Sequence, residues 1–291
     1  MKEPILNLRH DGPVSVAVGR SRKDTAWRNE SMEWSRFLEK ILRPHRTHET
    51  FAEYRAMPKQ QKDEIKDIGG FVGGALQGGR RKADAVKWRS LITLDADYAK
   101  RIVNKPGFAA AMYTTHSHSP EAPRFRLIIP LKRAVTPEEY PAVARKVAER
   151  FDIEIFDPTT YEPHRLMYWP SVSADGEFKS WHVDGPWIDP DEILAEYEDW
   201  RNPLEWPTSS REVKARTREK KRQGDPLEKK GWVGAFCRTY DVEAAIETFL
   251  SDVYEKHADN RYTYREGSTA GGLVIYDEGR FAYSFHGTDP A

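Results

Sequence analysis

The sequence predicts a mixed fold, α/β or α+β, on three observations. Strand-like and amphipathic helical segments alternate along the chain, "VSVAV" and "RFRLIIPL" alternate with the period of a half-buried strand, and a charged stretch near residue 210 sets off a small C-terminal unit. At 291 residues there is material for two domains. Lys and Arg number 46 and Asp and Glu 46, so global charge excludes neither anionic nor cationic partners. Cys237 is the single cysteine, which excludes an internal disulfide and a thiolate zinc cluster and fits a reducing cytoplasm. The N-terminus lacks a signal-peptide core, and no apolar run is long enough to span a bilayer, so no membrane partner is expected.

The elements follow in order. Residues 4–20 read as short strands turning at Asp11-Gly12-Pro13, and Ser31 caps a helix to Leu42; a second helix covers "HETFAEYRAM" before Pro58. Glycine pairs at 69–70, 73–74 and 78–79 then give the backbone freedom to approach a ligand, with Arg80, Arg81, Lys82, Lys87 and Arg89 supplying positive charge. Either a flexible basic loop or a nucleic-acid contact through Arg80, Arg81 and Lys82 fits this segment. It is not a P-loop, because Gly79-Arg80 stands where Lys-Ser or Lys-Thr is needed.

"LITLDADYAK", residues 91–100, ends a strand with two aspartates. Side chains on a strand alternate faces, so Asp95 and Asp97 share one, roughly 7 Å apart along it, and can converge on Mg²⁺ or Mn²⁺. A strand ending in a solvated acidic turn is the plainer alternative. "AAAMYTTHSH" returns as a strand, and "RFRLIIPL" sets Arg124, Arg126 and Ile128 on one face. Residues 136–151 form a helix with Thr136 as cap, Pro137 at its first position and Glu139 completing a capping box.

"IEIFDPTTYEPHRLMYWP" reads as strand, turn, strand, with Asp157 closing the first and Arg165 opening the second. Arg165 either serves the site or bridges to Asp157 or Glu162. "DPDEILAEYEDW" is a capped helix, and the tryptophans from Trp169 to Trp206 are expected to pack rather than stack bases. Residues 209–230 are polar and basic, a linker or a solvated helix, followed by the helix "DVEAAIETFLSDVYEKH" and a three-stranded meander. Three carboxylates with surrounding cations supply what phosphoryl or nucleotidyl transfer needs.

The order Asp-x-Asp, a Ser/Thr/His-containing strand, then an apolar residue followed by Asp resembles motifs I, II and III of the archaeo-eukaryotic primase superfamily. "LDADY", "THSHSPEAPRFRLIIPL", "FDPTTYEPHRLMYWPS" and "STAGGLVIYDEGRFAYSFHGTDPA" are similar to the primase-polymerase module of phage and mobile-element replication proteins of the virulence-associated E type. The resemblance implies an α+β core over residues 1–207, an α/β unit beside an RRM-like antiparallel sheet. A basic linker over 208–228 and an accessory domain over 229–291 follow. It implies Asp95, Asp97 and Asp157 as catalytic metal ligands for Mg²⁺ or Mn²⁺. Motif II has two placements, His116 or His118 before the turn, or Arg124 and Arg126 on the strand. With Arg165 these are the nucleotide-binding candidates.

The implied partners are a single-stranded DNA template, dNTP or NTP, and a helicase in the same or another chain, in the cytoplasm of a bacterial host. The abrupt end after "HGTDPA" fits a piece of a longer polypeptide. A metal-dependent nuclease or phosphohydrolase, and a non-catalytic origin-binding module, are the alternatives.

Overall fold

The computed structural model describes residues 6–223, 225–267, 270–285 and 289, in two units divided between Ser209 and Ser210. The first unit runs β1 (Pro13–Gly19), β2 (Arg28–Glu33), α1 (Trp34–Ile41), β3 (His45–Arg46), α2 (Phe51–Ala56), α3 (Lys59–Ile65), β4 (Gly70–Val72) and β5 (Gly74–Leu76). It continues with β6 (Val86–Ala96), β7 (Ala110–Thr114), β8 (Phe125–Val135), α4 (Glu139–Glu149), β9 (Met167–Tyr168), β10 (Ser171–Val172), β11 (Ser180–Val183) and α5 (Pro190–Leu194). The fold is α+β, as the sequence implies.

Its centre is an antiparallel sheet in the order β11-β7-β8-β6-β5. Alternation along the strands gives the sheet two apolar faces. Ile92, Leu94, Met112, Leu127 and Ile129 face a core completed by α4 and α5, whereas Leu91, Ala111, Tyr113 and Ile128 pack against α1 and a second sheet, β2-β1-β4-β9. α1 buries Trp34, Phe37, Leu38 and Ile41, and α4 buries Tyr140, Val143, Ala144, Val147 and Ala148, both at helical spacing. Each such side chain contributes about 1.5–3 kcal/mol of transfer free energy if large.

Several local expectations are corrected. Residues 6–12 form no strand; β1 pairs instead with β2, and residues 1–5 lie outside the described chain. α1 begins at Trp34 rather than Ser31, because Ser31 is paired to Ser15 in the β1–β2 ladder. The glycines serve packing more than ligand approach: a Cβ on Gly70 would sit 2.4 Å from the Met167 carbonyl oxygen, and one on Gly74 1.9 Å from that of Trp88. Arg89 is not part of a basic surface, being wholly buried. Its guanidinium donates to the carbonyls of Gly73, Leu91 and Pro163 and to Thr93 Oγ1, over the Tyr140 ring at 4.0 Å. The segment before Asp157 is a 3₁₀ turn, Ile153–Ile155, joined to β6 only by the bridge Ala96–Phe156.

In the second unit, α6 (Ser210–Gln223) occupies most of the stretch expected as a linker. α7 (Gly231–Thr239) and α8 (Val242–Phe249) precede β12 (Tyr254–Ala258), β13 (Arg261–Tyr264), β14 (Leu273–Tyr276) and β15 (Phe281–Ser284), a meander of four strands rather than three. β12 was concealed because its sequence continues the helical periodicity of α8, which ends at Phe249. Ile246 of α8 packs on Tyr254, Tyr262, Leu273 and Ile275. Among the described residues no helix is long and apolar enough to cross a membrane.

Candidate active site

β6 and β8 bring the first acid and its partner together. Asp95 stands opposite Arg126 in the ladder, and Arg126 Nε lies 3.3 Å from Asp95 Oδ1, with both side chains about nine-tenths buried. Asp97, just past the end of β6, is 3.2 Å from Arg124 Nη1. Asp157 is fastened to the same strand from another direction. Its peptide N–H donates to the Asp95 carbonyl at 2.8 Å, and its carboxylate accepts from Thr159 N at 3.0 Å and from Arg165 Nη2 at 3.1 Å. The buried Thr160 hydroxyl locks this turn to β6, accepting from Asp95 N at 3.0 Å and donating to the Thr93 carbonyl at 2.8 Å. Each of the three acids therefore carries an arginine of its own.

Asp95 and Asp97 line a cleft of about 490 Å³ at the end of the central sheet. Arg124, Arg126 and Arg165 come from around β8 and the loop before β9, and Arg22, Lys23, Lys66 and Arg81 from the N-terminal part of the chain. Against these seven cations stand three carboxylates, Asp63, Asp95 and Asp97. The excess of four positive charges favours a polyanionic ligand. Burial, and then the neighbouring Asp95 charge, raise the Asp97 carboxyl above its ordinary value, with Arg124 and Arg126 opposing. Burial works against the Arg126 charge, but Asp95, the Tyr113 hydroxyl and Asp97 outweigh it and raise its pKa.

The histidines behave differently from the arginines. His116 lines the cleft but is 4% exposed, and both ring nitrogens are engaged, Nδ1 with Ser171 Oγ and Nε2 with Glu49 Oε1, each at 2.9 Å. Its ring packs on Tyr54 at 4.4 Å. Burial lowers its pKa, with Glu49 opposing, and both of its ring nitrogens are already engaged within the protein. His118 lies outside the lining: Nε2 is 3.3 Å from Glu177 Oε2, and Nδ1 accepts from Arg124 N at 3.3 Å. Of the basic loop, Arg81 reaches the cleft, resting on Trp27 and donating to the His164 carbonyl, while Arg80 and Lys82 are exposed elsewhere.

Lys66, Arg22, Lys23 and Tyr168 are lining residues that sequence reasoning missed, as are the positioning residues Glu49 and Thr160. No motif marks them. Lys66 sits over the Tyr168 ring and pairs with Asp63 at 2.8 Å, and Arg22 pairs with the same Asp63 at 3.0 Å.

The donors suit a hard divalent cation, being carboxylate oxygens. Asp95 Oδ1 is buried without a hydrogen bond, and Asp95 and Asp97 line the same cleft, where the Asp95 charge helps raise the Asp97 pKa. The aspartate pair fits such an ion. Among the described residues, however, no three His, Cys, Asp or Glu side chains are gathered closely enough to hold a metal, so Asp157 stands beside the pair rather than completing a triad.

Comparison with known proteins gives two matches. Residues 1–209 match the family model described as the VapE N-terminal domain. The solved AEP domain of the primase-polymerase (PrimPol) of cyanophage S-2L is similar at a TM-score of 0.33 and 12% identity, covering 63% of this chain and 87% of that one. That likeness is too loose to carry an argument about the site. No curated protein matches the chain.

Proposed function

The chain belongs to the VapE N-terminal domain family, and from that premise we propose that it is a phage or mobile-element primase-polymerase, carrying out metal-dependent, template-directed nucleotidyl transfer on single-stranded DNA. The observation that carries the reading is the pair Asp95 and Asp97 in a cleft whose cations outnumber its acids by four. A nucleoside triphosphate in complex with a divalent ion has the matching chemistry, anionic phosphates beside a cation that needs carboxylates. Mg²⁺ or Mn²⁺ would be held by Asp95 and Asp97, with Asp157 next to them on its turn, and would supply acidification of the primer 3′-hydroxyl and neutralisation of the leaving pyrophosphate.

The chain's own residues do the rest. Arg126 and Arg124 exchange their carboxylates for phosphate oxygens, with Lys66, Lys23 and Arg81 lining the same cleft and Arg165 released from Asp157. Once engaged with phosphate, donors carried by the strands and loops of the cleft stabilise the charge that develops on the transferred group. A helicase is the partner that such an activity implies.

Incorporation of labelled dNTP and NTP on primed and unprimed single strands, with Mg²⁺ and then Mn²⁺, tests the reading against DNA cleavage in the same mixtures. Wild type extends the primer, and Asp95→Ala or Asp97→Ala lowers the rate by at least ~10³-fold, as loss of several kcal/mol of metal stabilisation requires, while strand binding stays within about twofold because phosphates are held by cations. Cleavage without incorporation would instead identify a nuclease. A second reading draws on the arginine at each acid: with the acids paired in this way, the excess cations of the cleft can bind DNA as an inert module. Metal-independent strand binding with no incorporation supports that outcome.

A further inference from the structure

Between Asp97 and β7 the chain has no regular secondary structure, yet it is firmly seated. Ala99 is buried, and Ile102, Val103 and Phe108 pack against the core beneath the central sheet. Tyr98 N donates to the Ile155 carbonyl at 3.1 Å, which fixes the start of the segment one residue from Asp97 and beside the turn that carries Asp157.

With its apolar residues turned inward, the segment presents Tyr98, 52% exposed, together with the exposed Lys100, Arg101 and Lys105. None of these three cations lies within ion-pair distance of an acid among the described residues. Among the described residues some exposed cations of the unit are paired, Arg133 with Glu139 and Asp191 and Arg150 with Glu196, and others, Arg80 and Lys82 included, are not. What sets Lys100, Arg101 and Lys105 apart is that they follow directly on Asp97. Three cations without an acid at ion-pair distance and an exposed ring thus sit on a segment anchored by its apolar residues and following directly on Asp97.

We propose that residues 98–105 are the surface along which a single nucleic-acid strand runs to the cleft, its phosphates on Lys100, Arg101 and Lys105 and a base stacked on Tyr98. The placement rests on the nucleotidyl-transfer reading. The choice of a single strand rests on the ring, since a duplex presents phosphates but no free base face. An acidic protein surface would use the cations but not depend on Tyr98 as a stacking platform.

Fluorescence anisotropy of labelled oligo(dT) and oligo(U) with the full chain, over a range of salt, tests this. Replacing Lys100, Arg101 and Lys105 together by Gln should flatten the slope of log K against log salt by about 2, at ~0.7 per single-strand phosphate. Tyr98→Ala should weaken binding at least about fivefold and Tyr98→Phe should not, because either ring stacks. The thermal shift given by Mn²⁺ with dGTP should be unchanged in every variant, since the cleft is untouched. A preference between the two oligonucleotides identifies the strand as DNA or RNA, and either supports the proposal. Wild-type affinity in all these variants, or tighter binding of a duplex of equal length, overturns it. If those variants also incorporate nucleotide, the function stands and only the path of the strand is wrong. If wild type neither binds strands nor incorporates nucleotide, both fall.

Discussion

Arg126 and Asp95 face each other across the β6–β8 ladder, Nε to Oδ1 at 3.3 Å, at the point where the central sheet opens into the cleft. The register that packs Ile92 against Ile129 also sets this pair. Because both side chains are buried, removing one leaves the other without its counter-charge. Arg126→Ala should cost about 3–5 kcal/mol in urea unfolding, and Arg126→Met combined with Asp95→Leu should cost less than either single change. Additive losses would show that the two groups do not interact.

Asp97 is held against its own electrostatic preference. Its pKa is raised in the fold by burial and by Asp95, so its contribution to stability is present below the unfolded carboxylate pKa and is lost as pH rises through the folded value. At neutral pH its charge therefore destabilises the protein. Asp97→Asn should raise the melting temperature at pH 7, with the gain shrinking toward pH 4, and should abolish incorporation. A lower melting temperature at pH 7 would mean that the Arg124 pair outweighs burial.

The two placements of motif II separate kinetically. Arg124→Ala should raise the KM for nucleotide about tenfold, the low end expected for a charged hydrogen bond to phosphate. His116→Ala should leave KM near its wild-type value and instead cost about 1–3 kcal/mol, since Glu49 and Ser171 lose a buried partner. His118→Ala should do less, because its partner Glu177 is 39% exposed. A KM effect confined to His116 would reverse the assignment.

A chain ended after Ser209 keeps the cleft and the Arg145–Pro207 hydrogen bond. It should extend a primer as the full chain does. Initiation on unprimed template should weaken, since a template and two free nucleotides must then be ordered without a paired primer. Equal initiation by both chains would place the role of the second unit elsewhere.

Local patterns in the sequence determined much of the first unit. Alternation over "RFRLIIPL" set the faces of β8, Thr136 and Glu139 make the reciprocal bonds of the expected capping box although α4 itself begins only at Glu139, and the paired aspartates marked the end of β6 where two carboxylates do line the cleft. Such features depend on residues within one or two turns of each other, which is why they are legible without the fold.

Long-range packing decided the rest. Whether the Ser31 segment was strand or helix depended on β1, and whether glycines 70 and 74 served a ligand or a neighbouring backbone depended on Met167 and Trp88. That His116 is spent on Glu49 and Ser171, 67 and 55 residues away, while Lys66 and Arg22 reach the cleft from outside every motif, has no local signature. A side chain's chemistry is fixed by its type, but its availability is fixed by the partners that tertiary structure brings within about 3 Å.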